Sequence, residues 1–246
     1  MTDLLIFIIS FTAAFLFALG GVGAAIILIP ILVSLGIPVN TAKPVGLFYN
    51  TLSMAGASYN NIKHKRLDFK AGIPIIIFSF LFAILGAWVS RFIPARIILS
   101  LFIAFLLFSS GMFFFHRKKE EHTYRTDNAY LPLALTGALA GLLSGLLGVG
   151  GGGIISPLML MMGYHPRKIA AITAFVVPFS SFSAFLTYWA MGHVNWRIML
   201  IASAGGIAGA MLGTHVLHNH LNQQTVKKIL AVILLLMAIK LILKLY

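Results

Sequence analysis

Leu147-Gly148-Val149-Gly150-Gly151-Gly152-Gly153-Ile154-Ile155-Ser156-Pro157 interrupts a long apolar run, and a related stretch occurs earlier, Gly20-Gly21-Val22-Gly23-Ala24-Ala25-Ile26-Ile27-Leu28-Ile29-Pro30. Each carries proline seven residues after its central glycine, Gly23 or Gly150. An offset of 127 residues superimposes Gly21 on Gly148, Gly23 on Gly150 and Pro30 on Pro157. The same offset pairs Gly36 with Gly163, Phe48 with Phe175 and Gly86 with Gly213. The chain therefore reads as a tandem duplication. In duplicated membrane proteins, helices interrupted at matching places commonly hold the substrate.

Composition sets the solvent. Sixty per cent of the 246 residues are hydrophobic and only 9% are charged, against about 25% charged in a soluble domain. The mean hydropathy is +0.99. An integral membrane protein is expected. The net charge of +13 would suggest nucleic acid in a soluble protein. Here the Lys and Arg residues fall mostly in short loops between apolar segments, where they signal topology and meet lipid headgroups. No basic face with interleaved aromatics supports a nucleic-acid partner. The absence of cysteine excludes disulfides and thiol chemistry. No basic stretch precedes the first apolar run, which argues against a cleaved signal peptide.

Eight apolar segments are expected, at roughly 4–35, 41–61, 71–92, 97–115, 130–162, 168–190, 197–217 and 226–245. The polar stretch His116 to Asp127 lies where a linker between repeats belongs. It divides the chain into a first repeat at 1–115, a linker at 116–129 and a second repeat at 130–246. The first segment of each repeat is too long for one crossing. About 32 helical residues span ~48 Å, against a hydrocarbon core of ~30 Å. A broken or re-entrant helix bent at the glycines is more economical, because glycine tolerates the backbone angles of a bend. Such a bend must be buried in protein or face a watery cavity. Broken segments put twelve of the 18 basic residues on one side (Lys63, Lys65, Arg66, Lys70, Arg117, Lys118, Lys119, Arg125, Arg167, Lys168, Lys227 and Lys228). Single crossings divide them more evenly. The positive-inside rule favours the broken reading, with the two repeats inverted and the linker in the cytoplasm.

The five acidic residues, Asp3, Asp68, Glu120, Glu121 and Asp127, all lie at a terminus or in a loop. Cation pathways commonly carry carboxylates within the membrane, and this chain offers none. A helix that begins within the membrane instead presents free N–H groups and the positive end of its dipole. Gly21, Gly23, Gly148, Gly150, Gly151, Gly152 and Gly153 are placed to let an anion approach such an end. Equally, they bend the chain and pack closely. Lys43 precedes Pro44 at the start of the second segment and has Ala170 as its repeat partner. It either snorkels to the interface or supplies a counter-charge for an anion. A polar stripe runs along the second segment of each repeat: Tyr49, Asn50, Thr51 and Ser53, then Thr173, Ser180, Ser181 and Ser183. These side chains either donate to an oxyanion or bond to neighbouring helices.

Glycines at Gly137, Gly141, Gly145 and at Gly205, Gly209, Gly213 recur at four-residue spacing, as close helix packing in lipid requires. Trp88, Trp189, Trp196, Tyr59 and Tyr188 fit interfacial belts. His215, His218 and His220 lack Cys, Asp or Glu companions, so a metal site there is not expected. Gly148 to Gly153 satisfies GxGxxG, but no strand or downstream acid accompanies it. No nucleophile–base–orienter set points to catalysis, and no cofactor is implied.

The pattern Gly-Val-Gly-Gly-Gly-x-Ile-Ile-x-Pro-Leu, followed by Ala-Ala-Ile-Thr and by Gly192-His193-Val194-Asn195-Trp196-Arg197, resembles the sulfite exporter family TauE/SafE. The resemblance runs over nearly the whole chain. It implies a multi-pass transporter of the inner membrane, moving sulfite, sulfonates such as sulfoacetate, or related sulfur oxyanions. The family carries Thr-Ser where this chain has Thr173-Ala174, which marks Thr173 as a binding residue. The first repeat departs further, with Ala24-Ala25 for two glycines and Lys43-Pro44-Val45-Gly46-Leu47 at the Thr-Ser position. The expectation is an all-α transporter of small inorganic or organic anions in the lipid bilayer, binding through Gly21, Gly23, Lys43, Asn50, Gly150, Gly151, Gly152, Thr173 and Ser180. A homodimer is one assembly open to such a chain, and the sequence does not reveal the oligomeric state. The alternatives are an accessory membrane protein that transports nothing and a carrier of cations or neutral solutes through backbone carbonyls.

Overall fold

A computed structural model describes residues 3–17, 23–63, 67–115, 124–125, 127, 129–220 and 223–245; the side chains of residues 57, 60, 115, 214–220 and 223–227 lie outside the described set. The described residues form helices and no strands. In chain order the α-helices are α1 (Asp3–Phe17), α2 (Ala25–Ser34), α3 (Val39–Lys63), α4 (Phe69–Val89), α5 (Ala95–Phe115), α6 (Tyr130–Leu147), α7 (Gly152–Met161), α8 (Pro166–Ala190), α9 (Trp196–His220) and α10 (Gln223–Leu245). A short 3-10 turn, Ser90–Phe92, follows α4. Both overlong segments are broken, between α1 and α2 and between α6 and α7. The histidines His215, His218 and His220 lie outside the described side chains.

Among the described residues, five helices are long and apolar enough to cross a membrane: Phe69–Phe92, Ala95–Phe114, Tyr130–Leu147, Pro166–Ala190 and Trp196–Gly213. The ten-residue α2 and α7 are about 15 Å long, half of a ~30 Å hydrocarbon core. Each half-helix closes in the same way. Gly36 and Gly163 adopt φ +91° and +88°. The N–H of Ile37 bonds to Leu32 O and that of Tyr164 to Met159 O, both at 3.1 Å. This is the glycine-terminated end that satisfies the last carbonyls of a helix.

Proline inside α7 has a consequence and a remedy. Pro157 cannot bond to the carbonyl four residues back, and the Gly153 carbonyl so released accepts from Ser109 Oγ of α5 at 3.4 Å. A buried carbonyl left bare would cost about 1–3 kcal/mol.

Glycine stripes set the close packing. A Cβ on Gly137, Gly141 or Gly145 of α6 would lie 2.6, 2.3 or 2.1 Å from the carbonyl oxygen of Ile75, Ser79 or Ala83 of α4. On α9, a Cβ on Gly205 or Gly209 would lie 2.6 or 2.1 Å from the Phe7 or Phe11 oxygen of α1. Numbers rise together in both pairs, so α4 runs parallel to α6 and α1 to α9. In contrast α3 and α8 run antiparallel, with the Lys43 ammonium over the Tyr188 ring and Phe48 against Phe185, centroids 4.9 Å apart. Helices α5 and α10 are antiparallel too: Ser110 Oγ donates to Ala231 O at 2.8 Å, while Leu99 and Lys244 line one cavity at their other ends.

Candidate functional site

The site grows from the break after α6. Gly148 ends that helix at φ +83°, its N–H on Ser144 O at 2.8 Å. Gly150 and Gly151 follow at φ +81° and +74°, angles that cost an L-residue about 1–2 kcal/mol each. Helix α7 restarts with the N–H groups of Ile154 and Ile155 both on Gly151 O at 3.0 Å. Residues 149–153 are buried. Among the described residues, the N–H groups of Val149, Gly150, Gly151, Gly152 and Gly153 have no hydrogen-bond partner. Buried amides are nearly always paired, so this run of bare donors at a helix N-terminus is the main chemical feature of the protein.

One face of α3 lies along this break. Residues at i, i+3 and i+7 share a helix face, and Lys43, Gly46 and Asn50 have that spacing. A Cβ on Gly148 would lie 2.8 Å from Lys43 Cα, and one on Gly46 would lie 3.2 Å from Gly148 O. Asn50, fully buried, donates from Nδ2 to Val149 O at 3.0 Å. Its Oδ1 accepts the Ala25 N–H at 3.4 Å, at the start of α2. Asn50 thus touches both breaks. A Cβ on Gly23 would lie 2.5 Å from its Nδ2, and one on Gly150 would lie 2.1 Å from the same atom.

Opposite stands α8. Ser180 Oγ bonds to Gly150 O at 3.4 Å and to Val177 O at 3.2 Å. Ser181 Oγ would lie 2.6 Å from a Cβ on Gly150, is fully buried, and has no partner. Thr173 sits two turns earlier, ~10 Å along the helix, and faces Ser156 Oγ of α7 at 3.4 Å.

Lys43 does not reach the interface. It is fully buried, and its ammonium has no hydrogen-bond partner; the Tyr188 ring face lies 5.0 Å from it. The snorkelling reading is therefore overturned, because a side chain closed off by α8 has no path to water. Tyr188 likewise does not belong to an interfacial belt. It is buried, with its hydroxyl donating to Gly145 O at 2.8 Å and sharing a 2.7 Å bond with Ser90 Oγ. Trp88, Trp189 and Trp196 are exposed on the protein surface.

The structure thus brings together Gly23, Lys43, Asn50, Gly150 and Ser180, with Gly151 and Gly152 in the same break; Gly21 lies outside the described residues. Gly148, Ser181 and Tyr188 complete the cluster. The polar stripe had indicated Ser181, whereas Tyr188 gave no signal, since an aromatic residue near a helix end reads as a membrane anchor. The described carboxylates are paired elsewhere. Asp3, Asp68 and Asp127 pair with Arg197, Lys168 and Arg125 at 2.8, 2.7 and 2.6 Å, and Glu120 and Glu121 lie outside the described residues. The cluster presents hydrogen-bond donors and one basic side chain without a hydrogen-bond partner.

Several helices long and apolar enough to cross a membrane, packed around a buried polar centre, define a multi-pass membrane protein. The chain belongs to the family described as sulfite exporter TauE/SafE, whose profile matches residues 6–241. It is similar to a "probable membrane transporter protein" of Methanocaldococcus jannaschii, 29% identical over 85% of this chain and 84% of the relative. It is also similar to the probable membrane transporter protein YunE of Bacillus subtilis, 25% identical over 98% of each. A TauE/SafE family protein of Arabidopsis thaliana is 35% identical over 39% of this chain and 22% of its own length. The protein is a transporter and not an enzyme.

Proposed function

We propose that the protein carries small oxyanions, sulfite and sulfonates such as sulfoacetate foremost, across the inner membrane. The observation that carries this reading is the run of unbonded N–H groups from Gly150 to Gly153, beside the unpaired Lys43 ammonium and the Ser181 hydroxyl. A tetrahedral or pyramidal oxyanion would take the amides on one side and Ser181 on another, with Lys43 balancing its charge. The family's name for its substrate agrees with that chemistry.

We further infer two inverted repeats, 1–115 and 130–246, joined by the linker 116–129. Helices α2 and α7, and α3 and α8, have bounds 127 residues apart at both ends. The pair α1–α9 becomes α6–α4 under the same exchange. Equivalent helices α3 and α8 run antiparallel, as do α5 and α10, which an in-plane two-fold axis produces and an axis along the membrane normal does not. Rocking of one repeat against the other around the fixed breaks would expose the site alternately. On this relation Thr173 corresponds to Gly46, and its hydroxyl meets Ser156 Oγ of α7, while Lys43 lies against Gly148.

The test is flux in proteoliposomes with a panel of labelled anions, cations and neutral solutes. Sulfite or sulfonate flux that other oxyanions inhibit supports the reading. Cation flux indifferent to anions, or no flux at all, refutes it.

A further inference from the structure

We propose that Lys43 is the proton-coupling group of this transporter, gaining a proton as an anion enters the break and losing it as the anion leaves, so that one proton accompanies each anion. This rests on the anion reading above and adds the coupling ion to it.

The argument is one of charge balance. Lys43 is fully buried and its ammonium makes no hydrogen bond. An unpaired ion is costly to bury, and lysine is the basic side chain that gives up its proton when desolvated. The helices packed most closely on α3 are α2, α8 and α9; α1 touches it where the Tyr49 hydroxyl donates to Ser10 O, and the one titratable residue of α1, Asp3, pairs with Arg197. Helix α2 has no titratable residue; α8 has Arg167, Lys168 and Tyr188; α9 has Arg197 and three histidines whose side chains lie outside the described set. Neither α6 nor α7, which flank the Gly148 contact, carries an acid. Of the described groups, only the Tyr188 ring faces the ammonium, 5.0 Å away. A ring face offsets only part of the cost of burying a cation and cannot replace a counter-ion. The missing negative charge is the substrate's.

The proton balance closes without any other reactant. The neutral amine takes a proton from water on the loading side as the anion binds. The ammonium–anion pair crosses. On release, the proton passes to water on the opposite side, and the neutral amine returns empty. The unpaired charge is never carried alone through the occluded state. Ala170 stands at the matching position of the second half, so the described breaks hold one such group and the ratio is one proton per anion.

The experiment compares wild type with Lys43→Arg and Lys43→Met in proteoliposomes, using sulfite, sulfoacetate and methanesulfonate. Two quantities are read for each variant: anion-for-anion exchange, and net uptake driven by a pH gradient with an internal pH dye. Wild type is expected to show both, with acid moving alongside the anion. Arginine stays charged, so in Lys43→Arg net uptake should fall by about tenfold or more relative to anion exchange by the same variant, because its empty site must carry a bare charge. Lys43→Met should abolish the proton movement per anion bound, read by calorimetry in two buffers of different ionisation enthalpy. Size-exclusion profiles check that each variant is folded. Pyramidal sulfite binds protons itself, so its count is taken as the difference between wild type and Lys43→Met. Gradient-driven uptake by Lys43→Arg at the wild-type rate would overturn the coupling role, and so would wild-type flux without acid movement. No exchange of any of the three anions by wild type would instead overturn the anion reading, and this proposal with it.

Discussion

Asn50 and Val149, 99 residues apart, are joined by a 3.0 Å hydrogen bond from the side-chain amide to a main-chain carbonyl in the break between α6 and α7. The same amide accepts the N–H that opens α2. A single side chain therefore ties together the two places where the chain is interrupted. Its counterpart under the 127-residue offset is Val177, so the clasp is made once.

Asn50→Ala should loosen both breaks. It leaves the buried Val149 carbonyl and Ala25 amide unpaired, at about 1–3 kcal/mol for each. The expected outcome is a lower melting temperature in detergent together with reduced flux, measured by differential scanning fluorimetry and proteoliposome uptake.

Gly150→Ala should stop transport, whereas Gly36→Ala should spare it. Both glycines have positive φ, so each substitution carries about 1–2 kcal/mol of backbone strain. At Gly36 the new methyl meets nothing within 4 Å, but at Gly150 it would lie 2.1 Å from Asn50 Nδ2 and 2.6 Å from Ser181 Oγ. Uptake assays on the pair separate strain from occupation of the site. Equal loss in both variants would place the effect in the backbone alone.

Gly141→Ala and Gly111→Ala should move stability in opposite directions. A Cβ at Gly141 would lie 2.3 Å from the Ser79 carbonyl oxygen, forcing α4 and α6 apart; at Gly111 nothing lies within 4 Å. Alanine is favoured over glycine within a helix by about 0.5–1 kcal/mol, so Gly111→Ala should gain roughly that. Thermal unfolding of the two variants checks the sign.

Acid should weaken the join between α4 and α8. Asp68 caps α4 and pairs with Lys168 at 2.7 Å. Burial acts to raise the Asp68 carboxyl, but the hydrogen bonds from Lys168 and the Ala71 amide outweigh it and hold the group below its ordinary value. The contribution is therefore present above the unfolded carboxyl's pKa of about 3.9 and is lost as pH falls through the lower folded value. The pair is partly exposed, so the effect is about 1 kcal/mol or less. Melting temperature against pH should fall less steeply in acid for Asp68→Asn than for wild type.

Much of this architecture was legible in the residues. Apolar run length located the helices, and a run too long for one crossing forced the breaks. Glycine with proline seven residues on fixed where they fall. What the sequence left open was which side of α3 meets the break, because helical spacing groups Lys43 with Gly46 and Asn50 without saying what they face. Lys43 and Tyr188 misled for the same reason. Each is a residue type that normally marks the membrane surface, and only packing against an opposed helix shows that it is enclosed.

The most direct test is to locate a heavy oxyanion in the protein. Crystals of transport-active protein soaked in selenite, the heavier analogue of sulfite, should give an anomalous peak within hydrogen-bond distance of the amides of residues 150–153 and near Ser181 Oγ. A selenium peak elsewhere, with those amides bonded to the protein itself, would contradict the account.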